Sequence, residues 1–119
     1  MIDYRPELVS ALRTLGLPVE YELFLTSDTE IPCISYRLTN DRASAEGDTI
    51  GYSELTFAIK VWSTKLADLA YYSNRLDILM RNLGFKRGYA NELWLNGIGQ
   101  IEIRYTGLGI ENFNEGDML

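Results

Sequence analysis

Asp41, Glu46 and Asp48 stand close together in a polar stretch, the kind of acidic grouping that holds calcium or magnesium through oxygen ligands. Their spacing does not reproduce a calcium loop, which places ligands at alternate positions and closes on a glutamate at the twelfth. The grouping therefore reads as a solvated loop or as a contact with a partner or ion. Histidine is absent, which removes at once the commonest general base near neutral pH and the commonest zinc ligand. Without it the serines cannot form the usual activated triad, and no S-x-x-K takes its place. Gly97-Ile98-Gly99 and Gly107-Leu108-Gly109 each supply a G-x-G, but neither has the third glycine opening a helix that a nucleotide fingerprint requires. Cys33, the single cysteine, has no partner for a disulfide and reads as a small buried strand residue. No catalytic group, cofactor or metal is expected, and the chain is not read as an enzyme.

The 119 residues suffice for one domain with one core. Eleven basic against seventeen acidic side chains leave a formal charge of −6, with Lys65, Arg75, Arg81, Lys86 and Arg87 dispersed among Asp68, Asp77 and Glu92. Proteins that grip nucleic acid by its phosphates gather their basic groups on one face, so DNA binding is not expected. No basic start leads into an apolar stretch and no segment is apolar over the ~18 residues of a membrane span, so neither secretion nor membrane insertion is expected.

The elements that must position these residues follow from apolar periodicity. Leu8, Leu12 and Leu15 recur at helical spacing after Pro6, and Gly16 and Pro18 end that first helix. From Val19 to Leu25 the chain alternates as a strand, and Thr26 to Glu30 is a turn. A second strand runs from about Cys33 to Thr39 with Ile34, Tyr36 and Leu38 inward. Asn40 to Gly51 has loop composition and is expected to serve assembly rather than stability, so shortening it from Asp41 to Thr49 should spare the core.

The clearest element is the strand Tyr52 to Trp62, with Leu55, Phe57, Ile59 and Val61 on one face and Glu54, Thr56, Ala58 and Lys60 on the other. Ser63 or Thr64 is expected to cap a long helix striped by Leu66, Leu69, Ala70, Ser73, Leu76, Leu79, Met80 and Leu83, which Gly84 ends. Strands from about Gly88 to Leu95 and Gln100 to Thr106 flank a turn over Asn96 to Gly99. The fold class is α+β, a mostly antiparallel sheet of about five strands with two helices packed on one face in the order α-β-β-β-α-β-β. Residues 112 to 119 have no pattern and are expected to form a mobile tail on the single domain spanning 1–119.

Two aromatic features fit surfaces better than a core. Tyr71 and Tyr72 are adjacent on a helix and point about 100° apart, so one belongs near a rim where its polar tip can be wet. Trp62 falls on the polar side of its strand, where a helix or another subunit must cover it, and Trp94 sits near a strand end. With Asp41, Arg42, Glu46 and Asp48 of the polar stretch, Trp62, Tyr71 and Tyr72 are the candidate assembly contacts.

The words Pro32-Cys33-Ile34-Ser35-Tyr36, Glu46-Gly47-Asp48-Thr49-Ile50-Gly51-Tyr52, Ile59-Lys60-Val61-Trp62, Met80-Arg81-Asn82-Leu83-Gly84-Phe85 and Arg104-Tyr105 stand in an order and spacing that resemble the tail-completion or tail-terminator proteins of long-tailed phages and prophages. The resemblance implies an α/β sandwich that assembles as a ring, usually of six copies, on the end of the tail tube. That ring stops tube growth and offers the surface that meets the head connector. The implied partners are copies of the chain itself, the major tail tube protein and the head-tail connector proteins, with DNA passing through unbound and no membrane involved. The implied location is the host cytoplasm during assembly and then the tail end nearest the head. No cofactor and no catalytic residue come with the resemblance. Two other readings stand beside it: a different neck component, such as a head-closure or connector subunit, and a regulator or enzyme unrelated to phages.

Overall fold

The computed structural model describes residues 5–22, 26, 28–43 and 52–110. Its elements are α1 (Arg5–Arg13), β1 (Val19–Tyr21), β2 (Cys33–Ala43), β3 (Tyr52–Ser63), α2 (Leu66–Asn82), β4 (Lys86–Leu95) and β5 (Ile98–Ile110). The five strands form one sheet in the order β1-β2-β3-β5-β4, with β1 parallel to β2 and every other neighbouring pair antiparallel. This is the expected α+β arrangement.

Alternation dictates which face is covered. The register sets Ile34, Val61 and Ile101 side by side, then Tyr36, Ile59 and Ile103, then Leu38, Phe57 and Tyr105. Leu8 and Leu12 of α1 and Leu69, Leu76 and Met80 of α2 join these rows in one cluster, so both helices cover the same face. Full burial of an aliphatic or aromatic side chain stabilises by roughly 1.5–3 kcal/mol, and three such rows under two helices supply the core. Tyr105 is buried in its centre, and its hydroxyl donates to Asp77 Oδ1 at 3.2 Å while Arg81 holds the other carboxylate oxygen at 2.9 Å. Burial, and then the neighbouring carboxylate of Asp77, push the phenol well above its ordinary range.

Two turns depend on left-handed backbone. Leu83 closes α2, Gly84 follows at φ 93°, and the N–H groups of Gly84 and Phe85 donate to Arg81 O and Met80 O, the paired bonds of a Schellman ending. Asn96 and Gly97, at φ 53° and 80°, form a two-residue connection between Leu95 and Ile98, which face each other across the hairpin. That turn is shorter than the expected Asn96 to Gly99, and β5 starts at Ile98 and runs to Ile110.

Other boundaries also differ from expectation. The first strand ends at Tyr21 because Glu22 takes φ 47°; Leu23, Phe24 and Leu25 lie outside the described residues. Asn40, Asp41, Arg42 and Ala43 are not loop: they continue β2 opposite Thr56, Leu55, Glu54 and Ser53, after a register shift between Leu38 and Asn40. Shortening the chain from Asp41 would therefore remove paired strand backbone. β4 starts two residues earlier than expected, at Lys86, because its backbone pairs with Thr106 where no apolar pattern marks it. At the start of α2, Lys65 occupies the N-cap position without a side-chain cap. Ser63 acts from two residues upstream, its Oγ accepting from Lys65 N–H at 3.1 Å and donating to Asp68 Oδ2 at 2.8 Å. The stripe of α2 is narrower than expected: Leu69, Leu76 and Met80 are buried, whereas Leu66, Ala70 and Leu83 are exposed.

Candidate assembly surfaces

The candidate contact residues fall in separate places. Asp41 and Arg42 lie on β2, and Glu46 and Asp48 lie outside the described residues. Trp62 is on the face of the sheet opposite the helices, and Tyr71 and Tyr72 are on α2, so no single patch joins them. Tyr71 is 54% exposed with the Arg75 guanidinium 5.4 Å from its ring centre, while Tyr72 packs half-buried against the core. Their rings meet edge to face at 5.0 Å.

The open face of the sheet is a polar layer. Glu20, Ser35, Lys60, Glu102 and Asn91 form one row across all five strands, and Arg37, Ala58 and Arg104 form another across the middle three. Trp62 is half-buried here without a helix above it: its indole donates to Ser35 Oγ at 3.0 Å, and Lys60 Nζ lies 5.5 Å from the ring centre. Glu102 is flanked by Arg37 at 3.9 Å and Arg104 at 3.6 Å, ion pairs longer than hydrogen bonds. Gln100 Oε1, Glu102 Oε2 and Arg104 Nε, all on β5, are shielded from solvent without a hydrogen-bond partner.

Cys33 lies at the lower end of β2, fully buried, beside a cleft lined by Pro18, Glu20, Thr26, Asp28, Thr29 and Glu30. Burial, then the charges of Glu20 and Glu30, push its thiol up to about 11, so it remains protonated and a poor nucleophile near neutral pH. Among the described residues no three His, Cys, Asp or Glu side chains stand close enough to share a metal ion, and no helix is long and apolar enough to cross a membrane.

The surface that sequence reasoning missed is β4. It is an edge strand of ten residues, every one exposed, and it carries Tyr89 (59% exposed), Leu93 (51%), Trp94 (39%) and Leu95 (68%). Trp94 lies flat over Gly99, directly opposite on β5, where a Cβ would come within 2.7 Å of the indole; its Nε1 donates to Glu92 Oε2 at 2.6 Å. The run Leu93-Trp94-Leu95 was the available signal, because apolar residues on both faces of a strand mean either two covered faces or an unsatisfied edge.

The other edge, β1, has three residues and a different chemistry. Ile34 N–H donates to Pro18 O and Glu22 N–H to Tyr36 O, so the residues between them that alternate outward, Val19 and Tyr21, turn their backbone groups away from β2. From Pro18 to Ile31 the sequence contains Glu20, Glu22, Asp28 and Glu30 and no Lys or Arg. Compared with known proteins, the chain matches no family model, and no curated protein is significantly similar to it.

Proposed function

We propose that the chain is a structural assembly protein that closes the tail tube of a long-tailed phage as a ring of its own copies and offers the surface on which the head connector docks. The observation that carries this reading is the order and spacing of the tail-terminator-like words through the middle of the chain. Among the described residues those words fall on β2, β3, the end of α2 with the turn after it, and β5, which are the scaffold rather than its margins. A sheet whose end strands, β1 and β4, have no further strand beside them among the described residues suits a subunit that meets copies of itself. DNA is to pass through the ring without specific binding: the chain is acidic overall, and Arg37 and Arg104 are partly neutralised by Glu102. The proposal contains no catalytic step and no cofactor. Its place of action is the host cytoplasm during assembly and the head-proximal end of the finished tail.

The test is electron microscopy of particles made with a tagged copy of the chain. Label confined to the tail end nearest the head supports the reading, and label along the tube or at the distal tip overturns it.

A further inference from the structure

We infer that copies of this chain join edge to edge, the outer edge of β4 in one copy pairing antiparallel with β1 of the next. The two edges suit each other in direction. β1 runs parallel to β2, and β4 runs opposite to β5 and therefore opposite to β1. A second copy placed beside the first in the same orientation thus brings β4 against β1 as an antiparallel pair, with its helices on the same side of the extended sheet. The outward backbone groups of Val19 and Tyr21 meet a strand whose own outer groups face away from β5.

Charge favours this pairing over the joining of two β1 edges. The β1 edge is flanked by four acids and no base, whereas β4 begins with Lys86 and Arg87 and holds one acid, Glu92, already bonded to Trp94. Two β1 edges repel each other, whereas β4, with two bases against one acid, attracts an acidic edge. Height agrees as well: Glu20 and Asn91 stand in the same row of the open face, and Tyr21 and Ala90 share the next row. Side by side at equal height, Asn91 of one copy faces Glu20 of the other, and exposed Tyr21 faces exposed Ala90.

Such a contact is head-to-tail, so copies joined this way close into a ring or continue as a filament. The inference deepens the proposed function and rests on it only for closure. It is tested without a tail. Glu20→Cys and Asn91→Cys chains are purified separately, mixed and oxidised mildly; Cys33 stays in place because it is buried. A disulfide linking the two variants, absent when either is oxidised alone, is the expected result. Dimers of Asn91→Cys with itself, or no linkage in the mixture, overturn the inference. As a second measurement, Lys86→Glu with Arg87→Glu should weaken association about tenfold in sedimentation, and Glu20→Lys with Glu22→Lys in the other copy should restore it. Failure of that rescue in chains with unchanged circular dichroism also overturns the inference. A chain that links position 20 to 91 yet is absent from tail ends would remove the tail-capping function and leave the interface standing.

Discussion

The two ends of this sheet answer one physical problem in opposite ways. An edge strand exposes unpaired backbone groups that invite another strand, and soluble chains blunt it by shortness, charge and proline. β1 has all three, with three residues, Pro18 before it, Glu20 within it and Glu22 just after it. β4 has neither shortness nor proline, and four large side chains with apolar surface are exposed on it. A sheet guarded at one end and bare at the other has a direction, and subunits with a direction add to one another in one sense only.

The largest test removes what both edges share. Phe57 is buried between Leu38 and Tyr105 and meets the Phe85 ring edge to face at 5.9 Å. Phe57→Ala should cost about 3–5 kcal/mol in urea unfolding and abolish association with the fold. A loss below about 1 kcal/mol would mean the edges do not hang on this core.

Alkali should separate the edges next. The Cys33 thiol, beside the β1 end, is raised from 9.0 to about 11 by burial. The folded state therefore holds a proton that the unfolded chain releases, so its contribution is complete below about pH 9 and is lost as pH rises toward 11. Stability measured across that window should fall, and Cys33→Ala should flatten the fall; an unchanged slope would refute the assignment. The buried Tyr105 phenol acts in the same direction at higher pH.

Charging the bare edge comes third. Tyr89→Asp with Leu93→Asp sets acids against the acids of β1, and sedimentation should show association weakened about tenfold or more. Both residues are exposed, so unfolding should shift by no more than about 0.5 kcal/mol per site. The smallest effect is expected at the hairpin that carries β4. Gly97→Ala forces a side chain onto φ 80° and should cost about 1 kcal/mol in thermal unfolding, with no change in which edge associates.

Much of the scaffold is legible in the sequence because one face of it is dry. Leu55, Phe57, Ile59 and Val61 alternate visibly against Thr56, Ala58 and Lys60, since helices cover only the first set. Leu69, Leu76 and Met80 mark the inner side of α2 for the same reason. What escaped depends on backbone alone. Asn40 to Ala43 and Lys86 belong to strands through pairing with distant partners, Thr56 to Ser53 and Thr106, which local composition does not encode. Glu22 ends β1 by its own φ although the alternation runs on. The surfaces were less legible still. The division between Tyr71 and Tyr72 follows from helix geometry, but Trp62 lies on the face away from both helices, bonded to Ser35 with Lys60 beside its ring. β4 could be recognised as an edge only once the strand order was known, because being an edge is a property of topology.

Trp94, lying over Gly99 with its indole nitrogen on Glu92, gives the bare edge its own optical reporter. The chain has only one other tryptophan, Trp62, two strands away in the sheet order on the opposite face. Light emitted from the β4 side shifts toward the blue and resists quenching by iodide when water leaves that ring. Arrival of a partner at this edge is thus visible in an unlabelled sample, and replacing Trp62 with Phe isolates the signal.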